Sequence, residues 1–316
     1  MRFGAIFAAV FLSTSLLRAE TEVFADFLVW CTNEASSENW GQVFTTEGST
    51  ENIDLLSVSF GCDYGFRVGL DYVTCHDCWD LLGAYTWYRS NGKDSTSTDG
   101  LISSAFLANF YIDNADGTKL AGPTYRRASM RWQIDFNIFD AELGRLFCAS
   151  ECLTLRPFIG LKGGWIDQSI DTSWQNPTDP ALLFTRATED LKNDFWGIGP
   201  SAGLNLDWIL CSGECYTFSL FNDLSGALMY GHWTFQDRYQ NDRAEEVVID
   251  LSNIDGAAPM IRNFIGLSWR RSSFAVRLGY EAQVWLSQLQ LYTLNGGRLN
   301  NVLTLQGGSL DVRFAF

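Results

Sequence analysis

Eight cysteines fall in a pattern that could carry chemistry. Six bracket short polar stretches: Cys75-His-Asp-Cys78, Cys148-Ala-Ser-Glu-Cys152 and Cys211-Ser-Gly-Glu-Cys215. Cys31 and Cys62 flank a longer polar segment. Thiols spaced this way close disulfides across a turn, serve redox or metal chemistry, or cross-link to neighbouring chains. Zinc asks for four ligands, and His76 is the one other donor beside Cys75 and Cys78, so no metal site is assigned. Residues flanking a tight hairpin turn stand about 5 Å apart, within disulfide reach. The spacing therefore predicts the bonds 75–78, 148–152, 211–215 and 31–62. Cross-linking to envelope neighbours stays open, because the three turn pairs fall on one side of the molecule.

Hydrolytic chemistry needs a histidine beside a nucleophile or an acid. The chain has two histidines. His76 lies in a turn, and His232 shares an acidic stretch with Asp237 and Asp242, which reads as solvated loop. No catalytic residue and no cofactor are assigned, and the chain is read as a non-enzyme.

A third set is charged. Arg67, Asp71, Arg131, Asp135, Arg156 and Lys162 each sit between apolar or small neighbours, as do Asp207, Arg277, Glu281, Asp311 and Arg313, and Asp223 precedes Leu224. Charges on one face of an alternating strand line an aqueous lumen and set ion preference through their local field. Alternatively, opposite signs on neighbouring strands pair and fill the lumen. The acidic outer stretches, Glu34 and Glu38 among them, predict a cation-favouring vestibule if the lumen conducts.

Such a face requires strands. Gln306–Phe316 is the organising segment: Leu310, Val312, Phe314 and Phe316 point one way, and Ser309, Asp311, Arg313 and Ala315 the other. A terminal strand leaves an unpaired edge unless another strand covers it. Pairing with the first candidate, Val23–Trp30, closes a barrel. Charged residues are 19% and aromatics 15% of 316 residues, with 12 Trp and 23 Phe, a composition suited to aromatic girdles on a lipid-facing barrel. Met1–Ala19 reads as a secretory signal cleaved after Ala19, leaving 20–316 as one barrel domain. Without Arg2 and Arg18 the balance is 20 basic against 37 acidic residues, which argues against nucleic acid.

Further strands are predicted at Phe66–Val73, Trp79–Trp87, Tyr125–Phe147, Leu153–Trp165, Phe195–Leu210, Tyr216–Leu228, Ile261–Arg271 and Phe274–Trp285. Within Tyr125–Phe147, Trp132, Ile134, Phe136 and Ile138 are assigned outward and Arg131, Gln133, Asp135 and Asn137 inward, with a bulge near Asp140. Trp196 and Trp208 bound the most regular strand. Twelve residues at roughly 3.3 Å each and a tilt near 40° span about 30 Å of membrane normal. Segments 32–61, 90–100, 166–194, 232–259 and 287–300 read as loops by composition. The result is an all-β, closed antiparallel transmembrane barrel of ten strands, or twelve if 101–124 adds a hairpin. Short periplasmic turns face long extracellular loops.

The stretches GFRVGLDYVTCHDCWDLLGAYTWYRS (65–90), IDFNIFDAELGRLF (134–147), LTLRPFIGLKGGWIDQ (153–168) and WGIGPSAGLNLDW (196–208) resemble successive hairpins of the Legionella-type major outer-membrane proteins, a family also found in chlamydia-like bacteria. The strand ending in Phe316 resembles the signal by which the barrel-assembly machinery recognises its substrates. The resemblance implies a pore-forming barrel in the bacterial outer membrane, with lipid and the assembly machinery as partners and no catalytic residues to carry over. The turn cysteines depart from many members and are closer to cysteine-rich envelope proteins, for which disulfide-linked neighbours or homo-oligomers are the implied partners. The combined expectation is a porin-like diffusion channel for ions or small hydrophilic solutes that is also an abundant structural protein. The alternative is a non-conducting structural or adhesive barrel whose lumen is filled by side chains.

Overall fold

The computed structural model describes residues 20–74, 78–112, 122–293 and 297–316. The signal segment 1–19, Cys75 and His76 lie outside them. The described chain is almost entirely strand: β1 (Glu20–Glu34), β2 (Gly41–Glu47), β3 (Thr50–Leu56), β4 (Ser59–Phe60), β5 (Cys62–Val73), β6 (Trp79–Ser104), β7 (Thr124–Arg145) and β8 (Phe147–Ser150). These are followed by β9 (Leu153–Pro177), β10 (Arg186–Ser212), β11 (Thr217–Asn241), β12 (Glu246–Arg271), β13 (Phe274–Thr293) and β14 (Gly297–Ala315). One short helix, α1 (Leu107–Tyr111), follows β6.

Ten antiparallel strands close on themselves in the order β1, β14, β13, β12, β11, β10, β9, β7, β6, β5 and back to β1. The closing seam pairs the first strand with the last, with Asp26 opposite Asp311 and Phe27 opposite Leu310. The Phe316 amide donates to the Thr21 carbonyl at 2.9 Å, so the chain end is tied into that seam. β8 continues β7 along β9. The remaining short strands come from the segment between β1 and β5, where β2 and β3 form a hairpin and β2 pairs the upper end of β6. Segment 32–61 is thus a folded subunit of the mouth.

The polar stretches read as loops are strand as well. β6 runs on through 90–104, β9 to Pro177, and β10 and β12 start at Arg186 and Glu246. Continued pairing satisfies the backbone donors and acceptors, and above the bilayer the outer face meets water, where Ser, Thr, Asp and Lys belong. Composition marked where the lipid stops, and the sheet continues past it.

That extension inverts the polarity of the wall. In the lower part of β10, Trp196, Ile198 and Trp208 are about half exposed on the outside. Above Phe195, the outward positions are Asp190, Lys192 and Asp194, while Ala187, Leu191 and Phe195 are buried inside. β7 makes the same exchange. Phe139 and Leu143 face out, but Trp132, Ile134, Phe136 and Ile138 face in and are at most 2% exposed. The facing assigned to that part of β7 from sequence is therefore reversed. Its pairing with β6 runs without interruption from Trp79–Arg145 to Ser97–Arg127, so there is no bulge at Asp140. What changes there is the medium outside the wall.

Candidate functional site

The lumen has two storeys. In the membrane-spanning storey, alternation sends small apolar and aromatic side chains to lipid and charged ones inward. Arg67 on β5 donates to Asp26 on β1 at 2.7 Å and to Glu281 on β13 at 2.7 Å, and its Nε reaches Thr86 at 3.0 Å. Arg262 on β12 donates to the same Glu281 at 2.6 Å. Arg277 reaches across β12 to Asp223 on β11 at 2.5 Å and lies 3.8 Å over the Phe221 ring. Arg313 holds Asp311 at 2.7 Å and Glu22 at 3.0 Å. On the opposite wall Arg156 joins Asp80, Glu142 and Asn205, and Lys162 joins Asp140. Each cation is matched with carboxylates, as buried charge requires.

Between these clusters a cavity of about 480 Å³ extends toward the short-turn rim, where Leu146, Ile209 and Arg270 line it. Asp71 and Asp207 also face it. Ten of the twelve charges read as inward are therefore in the lumen. Arg131 and Asp135 are not: they stand on the outer wall above the aromatic girdle, where Asp135 pairs with Arg89. The error follows from the reversed facing of β7. Glu22, Asp26, Asp80, Asp140, Glu142 and Arg262 complete the network and were missed as members of it. Asp26 alone carried a signal, as the clear inward residue of the first strand.

The outer storey is filled with aromatic side chains. Trp30, Trp132, Trp174, Trp233 and Trp285, from five different barrel strands, are each at most 1% exposed. The Phe136 ring lies between Trp30 at 6.5 Å and Trp285 at 5.2 Å. Indole N–H groups need partners when buried. Those of Trp30, Trp132, Trp233 and Trp285 donate to Ser309, Gln168, the Gln288 carbonyl and Gln283. The mouth segment adds Trp40 against Trp174 and Phe60 against Trp132.

Above this layer α1 folds into the barrel. The Leu107 and Ala108 amides donate to Asp237 Oδ2 at 3.2 and 2.8 Å, and the Asn109 amide to Glu189 Oε1 at 2.8 Å. Both carboxylates are fully buried. Burial, compounded by Asp237, pushes Glu189 well above the ordinary carboxylate range, and burial lifts Asp237 to about 6 despite its amide donors. Glu34, at the top of β1, is buried beside the Gln168 amide, and burial raises it to about 8 despite that neighbour. It is part of the plug, and so contributes nothing to an acidic vestibule.

His232 is on a strand, at the outer girdle. It pairs with Asp255 at 2.8 Å and packs beside Trp196. Asp237 is inside the barrel, and Asp242 accepts from Thr185, so the three residues of the suspected constellation do not meet.

Cys31 and Cys62 are directly opposite on β1 and β5 and form a disulfide. Cys148, Cys152, Cys211 and Cys215 are exposed free thiols, as is Cys78. The expected 148–152 and 211–215 bonds are absent because register places Thr154 opposite Cys148 and Phe218 opposite Cys211. The expected partner of Cys78 lies outside the described residues. Among the described residues no group of three or more metal-ligating side chains could hold an ion.

Solved outer-membrane proteins align along most of the chain at low sequence identity. The major outer membrane protein of Thermus thermophilus is 9% identical, with 94% of this chain and 99% of that one covered and a TM-score of 0.34. The outer membrane protease OmpT of Escherichia coli is 9% identical over 96% and 100% of the two chains, with a TM-score of 0.43. The toluene transporter TodX of P. putida is 11% identical over 94% and 90%, with a TM-score of 0.31. No individual curated protein matches the sequence. Residues 17–316 match the family model described as the Legionella pneumophila major outer membrane protein precursor, and the chain belongs to that family of bacterial outer-membrane proteins.

Proposed function

We propose that this outer-membrane protein is a closed barrel at rest, a structural element of the envelope rather than an open diffusion channel. The layer of buried tryptophans across the outer storey carries the reading. A conducting path needs water along its whole length, and rings packed about 5–7 Å apart leave the outer half of the lumen without one. The ion pairs below brace the wall, which suits a load-bearing role. Phe316 serves as the assembly signal, lipid surrounds the belt, and the exposed rim thiol of Cys215 is available to bond an envelope neighbour or a further copy of the chain.

A second reading rests on the charged cavity of about 480 Å³. There the barrel is a porin-like channel for ions or small hydrophilic solutes, and α1 with the mouth hairpin is its gate. Planar-bilayer recording of the full chain tests the pair. The closed-barrel reading expects a silent membrane for the native protein and stepwise current once Phe136 and Trp285 are both reduced to alanine. Sustained ohmic steps from the native protein overturn it in favour of the channel.

A further inference from the structure

The short-turn rim repeats one juxtaposition twice. The first turn leaves on Cys78, whose carbonyl accepts the Leu146 amide at 3.0 Å, and Cys148 follows two residues later. The second turn leaves on Cys152, whose carbonyl accepts the Ile209 amide at 2.7 Å, and Cys211 follows two residues later. The offset is the same across both seams, β6 to β7 and β9 to β10. Leu146 and Ile209 both line the lumen cavity; alternation carries that facing to Cys148, opposite Thr154, while the register shift after Ile209 sets Cys211 opposite Phe218 at the turn tip.

All four cysteines are exposed thiols, on turns that face the oxidising periplasm in an outer-membrane barrel. A residue and its diagonal neighbour two positions along the next strand stand roughly 7–8 Å apart at Cα, closer at Cβ. A disulfide asks for about 4.4–6.8 Å, so closure needs a turn tip to move by an ångström or two. The pairing irregularities between Cys148 and Ser150 and between Ile209 and Cys211 fall where that movement is needed.

We propose that Cys78 bonds Cys148 and Cys152 bonds Cys211, stapling three successive periplasmic turns to one another. Cys215 then has no cysteine across its own outgoing seam: with Thr217 opposite Arg270, it stands level with Ser272. It is left for neighbours. The oxidant is a protein dithiol–disulfide oxidoreductase of the periplasm in its disulfide form. One thiolate attacks that disulfide and forms a mixed disulfide. The second cysteine then displaces the carrier. Each staple forms one S–S bond and releases two protons, and its two electrons leave on the carrier, which departs as a dithiol once it takes up two protons.

The test is a disulfide map of the full chain, extracted from outer membranes without reductant and alkylated at once. Cleavage after Asp and Glu separates the two cysteines of every turn, at Asp77, Glu151 and Glu214. The expected linked peptides are 78–148 and 152–211, beside 31–62. Peptides linked 148–152 or 211–215, or alkylation of Cys78, Cys148, Cys152 and Cys211, overturn the proposal. In Cys148→Ser, one additional alkylated thiol is expected, at Cys78, with 152–211 intact. If that variant does not assemble, the native map decides alone.

Discussion

Arg67 and Glu281 meet inside the barrel at 2.7 Å although β1 and β14 stand between their strands. The contact is therefore made through the lumen, and Arg262 and Asp26 extend it in both directions. Breaking one member of such a pair leaves an unmatched charge in a low-dielectric interior, at a cost of about 3–5 kcal/mol. Arg67→Met should lower stability in urea unfolding by that amount. Arg67→Met combined with Asp26→Asn should recover most of the loss, because it removes the stranded carboxylate while Glu281 keeps Arg262. Equal or additive losses in the double variant would show that the charges act separately.

The aromatic plug should behave as a packed core. Phe136→Ala removes the ring that touches Trp30 and Trp285, and truncating a buried Phe costs about 3–5 kcal/mol. A change on the outer wall at the same height, Asp135→Ala, gives up a surface pair with Arg89 and a hydrogen bond from Gln133 and should cost about 1 kcal/mol. Heat-induced unfolding followed by gel mobility separates the two, and comparable losses would contradict the assignment of faces.

Glu34 makes stability depend on pH. Its carboxyl is raised from its ordinary value to about 8 by burial, so the folded state holds the proton more tightly than the unfolded chain. The contribution is intact below about pH 4.5 and is lost progressively as pH rises toward 8. Glu34→Gln should flatten that part of the profile. An unfolding midpoint that rises over the same interval in the native protein, or an unchanged slope in the variant, would refute it.

The same sign applies to the seat of α1. Glu189 and Asp237 are both raised by burial, so charging them as pH rises disfavours the buried seat, although each amide bond by itself favours the charged carboxylate. Hydrogen exchange at the amides of 107–109 should quicken with pH beyond the intrinsic base dependence. That excess should disappear in Glu189→Gln.

The membrane belt was legible because lipid admits one solution: apolar out, polar in, at period two. Closure of β1 on β14 and ten barrel strands followed from residues at regular spacing, and the Cys31–Cys62 bond from the place of its two cysteines at neighbouring strand ends. The outer storey was not legible, for a physical reason. Period two says which residues share a face but not which face is wet, and above the bilayer the two media exchange places. Arg131, Gln133 and Asp135 are in phase with Phe139, Ala141 and Leu143, so the unbroken parity of β7 held the correct answer. The tryptophans of the plug looked like lipid anchors because the same ring serves both purposes. The turn cysteines misled because spacing along a chain does not fix which positions stand opposite across a hairpin.

Labelling from outside the cell tests the inverted outer storey most directly. Arg131→Cys and Ile134→Cys can each be placed in a chain in which Cys75, Cys78, Cys148, Cys152, Cys211 and Cys215 are serine, and intact cells treated with a membrane-impermeant maleimide. The two-storey barrel predicts rapid labelling at 131 and none at 134 until the protein is unfolded. Labelling at 134 with protection at 131 would mean that the wall keeps one polarity along its whole height and that the aromatic plug does not exist.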